Sequence, residues 1–179
     1  MPNSVKIAII SDTHDNLATT GKALQWLKKE KIKLLIHCGD VSSPAMLREI
    51  SKQFKGKIHL ILGNIGPVGV GANEDPFGIK TSGIKNVKFY GQIGQLKIGD
   101  KELAFAHEPT RAKELALTGK YNLVFYGHTH QPGEEKVVTS NRDCRLVNPG
   151  TLAGMFNKAT FAVYNTKTDL LELKLVERL

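Results

Sequence analysis

Two histidines stand one residue apart in the stretch LVFYGHTHQP, which runs from Leu123 to Pro132 and begins with four apolar residues. Residues i and i+2 of an extended chain share a face, so His128 and His130 can present both imidazoles to one cavity. Gly127 lets the backbone come close to that cavity. Protonated imidazoles would repel each other, whereas neutral imidazole is a common metal ligand. The spacing therefore indicates metal binding at the end of a buried strand.

Polar side chains also follow four other apolar runs that are predicted to be strands. These residues are Asp12, His14, Asp40, Asn64 and His107. Each is costly to bury without a partner. Taken singly, each has an ordinary explanation as a helix cap, a turn residue or a core histidine. Because ligands sit at the carboxyl ends of strands in open α/β sheets, we expect these side chains and the histidine pair to meet at one edge.

Strands and amphipathic helices alternate in the first third of the chain. The predicted strands are Val5–Ser11, Leu34–Cys38 and Lys57–Leu62, and the predicted helices are Thr19–Lys31 and a segment that Ser43 caps with Pro44 in its first turn. This alternation is typical of a doubly wound sheet with right-handed crossovers.

The rest of the chain is richer in β-structure. Gly99-Asp100 predicts a hairpin, RAKELALTGK predicts a short helix, and EKVVT, CRLVN, TFAVYN and LLELKLV predict strands. Glycine and proline are frequent in residues 66–83, which indicates a functional or mobile loop whose role the sequence does not define. We predict one domain over residues 1–179, of the α/β class, with two layers of sheet and helices outside.

Composition restricts the location and the partners of the protein. No run of about 20 apolar residues is present and the N-terminus has no features of a signal peptide, so we expect a cytoplasmic protein without a membrane partner. Cys38 and Cys144 form no C-x-x-C pair, which favours buried thiols over a closed zinc site. The net charge of +8 comes from lysines scattered along the chain, so a nucleic-acid partner is possible but unsupported. A homo-oligomer is left open.

The donor types suggest the chemistry. Carboxylate, amide oxygen and imidazole suit divalent manganese, iron, zinc or nickel. Four histidines, two aspartates and one asparagine are too many for one ion. They would fill two sites if one carboxylate bridged them, and two ions roughly 3.5–4 Å apart clamp a phosphoryl group and generate hydroxide at neutral pH. Hydrolysis of a phosphoester is the reaction that this set favours.

Six short motifs resemble, in order and spacing, those of the calcineurin-like metallophosphoesterases. They are SDTHDN, HCGDV, GN at Gly63, AHE at His107, GHTH, and NPGT at Asn148. More closely, the chain is similar to the small single-domain prokaryotic phosphodiesterases, to which the metallophosphoesterase-like subunit of the retromer coat is related. The resemblance implies a four-layer α/β/β/α fold, in which a sandwich of two sheets is flanked by helices.

The resemblance also implies a two-metal centre, with manganese favoured over nickel, zinc or iron. Its implied ligands are Asp12, His14 and His130 for the first ion, Asn64, His107 and His128 for the second, and Asp40 as the bridge. A hydroxide between the ions would attack the phosphorus of a small-molecule phosphoester in line. The catalytic residues implied are Asp40, Asn64 and His107.

Two positions depart from the family pattern. Ile65-Gly66 follows Asn64 where many members carry a histidine and the small branch often has Cys-Asp. Glu108-Pro109 stands where a second histidine usually follows His107, which alters the rim of the pocket. Because isoleucine cannot donate a proton, we predict a phosphodiesterase rather than a phosphomonoesterase. A non-catalytic metal-binding interaction module of the same fold and a nuclease are the alternatives.

Overall fold

The computed structural model describes residues 5–65, 75–80 and 83–179. Over these residues the chain forms three α-helices, eleven strands and a final 3₁₀ turn. The elements are β1 Lys6–Ile10, α1 Leu17–Lys29, β2 Leu34–His37, α2 Pro44–Gln53, β3 Lys57–Leu60, β4 Val87–Phe89, β5 Ile93–Ile98, β6 Lys101–Ala106, α3 Pro109–Leu117, β7 Leu123–Phe125, β8 Gly133–Val137, β9 Cys144–Asn148, β10 Thr160–Asn165 and β11 Leu170–Leu175.

The first sheet has six strands in the order β11-β10-β1-β2-β3-β4. Strands β1 to β4 are parallel, while β10 runs antiparallel to β1 and β11 antiparallel to β10. Alternate side chains of β1 point to opposite faces: Ala8 and Ile10 pack with α1 and α2, whereas Ile7 and Ile9 pack toward the second sheet. Both helices therefore cover one face, and the doubly wound arrangement that the alternation predicted is wrong, because the other face is buried by a sheet.

The second sheet has five strands in the order β5-β6-β7-β9-β8. Its inner face contributes the fully buried Phe105 and Phe125 to the core between the sheets. Its outer face packs against Ala112 and Ala116 of α3. The layers are thus helices, sheet, sheet and helix, which confirms the predicted α/β/β/α sandwich.

Local signals in the sequence are met closely. Ser43 caps α2, with its hydroxyl accepting from the Met46 amide at 3.1 Å and Pro44 in the first turn. The hairpin at Gly99-Asp100 is confirmed, since Ile98 pairs with Lys101. The third strand ends at Leu60 rather than Leu62, because the Leu62 amide turns to donate to the carbonyl of Gly91 instead of continuing the ladder.

Of the glycine-rich segment 66–83, only residues 75–80 and 83 are among the described residues. The extent of the domain as residues 1–179 stays a prediction. Among the described residues, no helix combines the length and apolar character that crossing a membrane requires.

Candidate metal centre

The predicted site residues lie in loops that follow five parallel strands, β1, β2 and β3 of the first sheet and β6 and β7 of the second. Five of them have left-handed backbone, with φ between 39° and 67°: Asp12, His14, Asp40, His128 and His130. Such conformations cost about 1–3 kcal/mol each outside glycine and concentrate at functional sites. The chain therefore holds strained backbone at the points where these side chains converge.

The first group of donors consists of Asp12, His14 and His130. The Nε2 atoms of His14 and His130 are 3.1 Å apart. Asp12 Oδ1 lies 3.2 Å from His130 Nε2 and 3.7 Å from His14 Nε2. Three donor atoms from two distant loops thus lie close together, and one of them is an oxygen of the fully buried Asp12 carboxylate.

The second group is centred on the side-chain oxygen of Asn64. His107 Nε2 lies 2.7 Å from Asn64 Oδ1, and His128 Nδ1 lies 2.9 Å from it. His107 Nδ1 is 2.8 Å from the carbonyl oxygen of Cys38. An Nδ1–H donated to that carbonyl leaves the lone pair on Nε2, directed at Asn64.

Asp40 lies between the two groups. Its Oδ2 is 3.7 Å from His14 Nε2 and 3.5 Å from His107 Nε2, and its side chain is only 3% exposed. Its Oδ1 accepts a hydrogen bond of 2.8 Å from the Ile65 amide. The structure therefore brings all seven predicted residues together, three on each side of one carboxylate.

Glu108 is a donor that sequence reasoning placed only at the rim of the pocket. Its Oε2 lies 3.5 Å from His128 Nε2, the ring nitrogen that faces away from Asn64. Within the described part of the chain, His107, Glu108 and His128 form one of three clusters in which the possible ligand atoms lie within 4.8 Å of each other. The signal in the sequence was its position directly after His107.

The chemistry of this donor set fits divalent cations. Asp12 Oδ1 is buried and has no hydrogen-bond partner, although it lies close to two imidazole nitrogens. A buried carboxylate oxygen without a partner is strongly destabilising. Imidazole lone pairs that face each other and a carboxylate would be satisfied by a cation between them. Donors of the same kinds also surround Asn64.

Electrostatics in the site favour positive charge. The neighbouring Asp12 carboxylate raises the pKa of His14, against burial, and the charge of Asp40 adds to the increase. Burial alone would lower the pKa of His107, but the neighbouring Asp40 carboxylate outweighs burial, so the pKa is raised. Burial alone would raise the pKa of Asp12, but the nearby His14 and Ser11 side chains outweigh burial, so the pKa is lowered.

The profile of the calcineurin-like phosphoesterase superfamily domain matches residues 5–169, which include all seven of these residues. The chain belongs to the calcineurin-like phosphoesterase superfamily. Its family, together with relatives that are phosphodiesterases, identifies it as a metal-dependent phosphoesterase.

Relatives of this calcineurin-like chain agree with that placement. It is 29% identical to phosphodiesterase MJ0936 of Methanocaldococcus jannaschii over 150 residues, 84% of this chain and 86% of the relative. It superposes on the structure of an archaeal phosphodiesterase with a TM-score of 0.78 and 25% identity, covering 96% and 99% of the two chains. Vacuolar Protein Sorting 29 of Cryptosporidium parvum shares the fold, with a TM-score of 0.59, 16% identity and 96% of each chain covered.

Two glycines allow the loops that carry the candidate ligands to pack against each other. A Cβ on Gly63 would overlap Asp40 Oδ1 and the Asp40 amide, and a Cβ on Gly127 would overlap Ser11 Oγ. Neither contact has a signal in the sequence beyond the glycine itself. Close packing of backbone around Asp40 is therefore part of how the site is positioned.

We expect Gly63→Ala to lower the free energy of unfolding by about 2 kcal/mol, because the added methyl group must displace Asp40 or its backbone. Manganese binding should weaken in the same variant. Urea unfolding and isothermal titration calorimetry measure the two effects. Gly133→Ala is the matched control, since a Cβ there meets no atom within 4 Å. Equal behaviour of the two variants would contradict the prediction.

Proposed function

We propose that this protein is a phosphodiesterase that binds two divalent ions at the candidate metal centre. The proposed ligands are Asp12, His14 and His130 for one ion, Asn64, His107 and His128 for the other, and Asp40 for both. The observation that carries the proposal is the buried Asp40 carboxylate, with histidines of both groups within 3.7 Å of one oxygen. A small-molecule phosphoester is the proposed substrate, and manganese the proposed native ion.

When bound, such ions polarise phosphoryl oxygens and supply hydroxide at neutral pH. The protein's own groups orient the proposed ligands and stabilise charge on the substrate. The Cys38 carbonyl fixes the ring of His107, and the Ile65 amide fixes the carboxylate of Asp40. Asn64 directs Oδ1 at the histidines, which leaves its Nδ2–H groups to donate to a phosphoryl oxygen as negative charge develops there.

The leaving group receives no proton from the residue after Asn64. The Ile65 side chain is 49% exposed at the mouth of the site and has no ionisable group. General acid catalysis contributes roughly 10²- to 10⁴-fold where it operates. The proposed enzyme therefore depends on leaving groups that depart as stable anions.

We expect bis(4-nitrophenyl) phosphate to be hydrolysed at least about a hundredfold faster than an alkyl phosphomonoester such as ethyl phosphate. Steady-state kcat/KM values with manganese-loaded protein measure the difference. Ile65→His should reduce this difference in kcat/KM by accelerating hydrolysis of the alkyl phosphomonoester. Equal turnover of both substrates by the unaltered protein would mean that another group supplies the proton.

A non-catalytic interaction module is the second candidate, and the shared fold of Vacuolar Protein Sorting 29 is what favours it. Two bound ions without turnover of any diester would support this candidate. A nuclease would instead bind DNA or RNA with a steep dependence on salt concentration. A cytoplasmic location stays a prediction, and a homo-oligomeric state stays open.

A further inference from the structure

Phe156 is the most exposed large apolar side chain among the described residues, with 91% of its surface exposed. It lies in the loop between β9 and β10. Single exposed apolar residues are common on protein surfaces. This one stands at the candidate metal centre, because its ring centroid is 6.0 Å from that of His130, with 31° between the ring planes.

The backbone holds Phe156 in a conformation that aromatic residues seldom adopt. Its φ is +63°, in the left-handed region, which for a bulky residue marks strain or function. The left-handed region also contains five of the proposed ligand residues, among them His130. Phe156 therefore shares both the location and the unusual backbone of the site.

The segment before Phe156 is attached to the loop that carries the first group of donors. The Leu152 amide donates to the Ser11 carbonyl at 2.9 Å, and the Ala153 amide donates to the Asp12 carbonyl at 3.0 Å. Asn16 Nδ2 donates to the Ala153 carbonyl at 2.8 Å. These bonds fix the start of the Phe156 loop relative to Asp12, so that the ring is presented at the rim by the same framework.

The two sides of the centre offer different groups to a substrate. On the Asn64 side lies a cavity of about 280 Å³ whose lining includes the polar side chains of Gln92, Thr110 and Arg111. On the His130 side the exposed ring of Phe156 lies beside the imidazole, and the exposed polar residues Thr129 and Gln131 flank that histidine in sequence. The ring of Phe156 offers an apolar, flat surface to a substituent on this side.

We infer that Phe156 is a specificity-determining residue that packs its ring against a flat aromatic ester substituent of the substrate. The inference rests on the proposed function, because a phosphorus held at the metal centre places one of its two ester substituents within reach of a ring beside His130. Contacts between aromatic rings stabilise beyond the area that they bury. A methyl substituent offers neither the ring nor the area.

Two diesters with the same leaving group test the inference: bis(4-nitrophenyl) phosphate and methyl 4-nitrophenyl phosphate, with manganese-loaded full-length protein. In Phe156→Ala, the ratio of kcat/KM for the aryl diester to that for the methyl diester should fall roughly fivefold to tenfold. The fall should arise mainly from a higher KM for the aryl diester. Phe156→Tyr keeps the ring and should keep the ratio.

Two further variants separate recognition from folding. Phe156→Gly removes the ring and suits the left-handed backbone, so it should reproduce the effect of Phe156→Ala without loss of manganese stoichiometry. Leu117→Ala shortens an exposed apolar side chain at the far end of α3 and should leave the ratio unchanged. An unchanged ratio in Phe156→Ala and in Phe156→Gly would overturn the inference but not the phosphodiesterase. Failure of the unaltered protein to cleave either diester would overturn both.

Discussion

Replacing Asp40 by asparagine is expected to lower kcat/KM for bis(4-nitrophenyl) phosphate at least about a thousandfold. The carboxylate is nearly buried between the two donor groups, with Oδ2 at 3.7 Å from His14 Nε2 and 3.5 Å from His107 Nε2. No other carboxylate among the described residues lies within 4.0 Å of both histidines. Removal of its charge should therefore weaken both proposed ion sites together.

The fold should tolerate this change, so that lost activity reports on the site. Asp40 has φ of +57°, a region that asparagine adopts readily, and the asparagine oxygen can still accept from the Ile65 amide. Asp143→Asn, at an exposed aspartate paired with Lys136, is the matched control and should keep full activity. Calorimetry should find fewer than two manganese ions per chain in Asp40→Asn. Full turnover in this variant would exclude Asp40 as the bridge.

Much of the candidate site could be predicted because its candidate ligands directly follow the apolar runs that form strands. An apolar run that stops at Asp12 or Asp40 places a carboxylate at the edge of a parallel sheet, whatever the other strands do. The convergence of His128 and His130 could be predicted from their spacing, since residues i and i+2 of an extended chain share a face. The separation into two groups around Asp40 follows from loops that meet only in three dimensions.

The assignment of strands to sheets could not be predicted from local pattern. β4 joins the first sheet beside β3, while β5, a few residues later, begins the second sheet. β10 returns to pair antiparallel with β1, Ala8 opposite Val163, across most of the chain. Such pairings depend on which apolar faces remain uncovered after α1 and α2 pack. Short-range hydrophobic periodicity does not predict which faces those are.

The contacts of two side chains near the site were also beyond sequence reasoning. Glu108 looks like a rim residue until its carboxylate is found 3.5 Å from His128 Nε2. Phe156 looks like a core residue by type, and only the left-handed turn places it outside, near His130. In both cases backbone direction in a loop decides the role, and residue type does not.

Removal of metal is expected to abolish turnover and to destabilise the fold. Chelator-stripped protein should lose at least about a thousandfold in kcat for bis(4-nitrophenyl) phosphate, and added manganese should restore it. At a free manganese concentration of a hundred times Kd, each ion should stabilise the folded state by about 2.7 kcal/mol, roughly 5–10 °C in Tm. The physical reason is the cluster of buried donors, which includes a carboxylate oxygen of Asp12 without a hydrogen-bond partner.

Single-histidine variants extend this test to each half of the centre. His107→Ala and His130→Ala each remove a donor from a different group, so each should lower manganese stoichiometry from two toward one and reduce the stabilisation by about half. His59→Gln is the control, because His59 bonds Tyr90 at 2.7 Å and lies outside both groups. If turnover persisted after chelation, or if both variants still bound two ions, the two groups would not be the metal sites. Loss of one ion from each variant would instead locate the two sites on opposite sides of Asp40, which is the arrangement that we propose for its buried carboxylate.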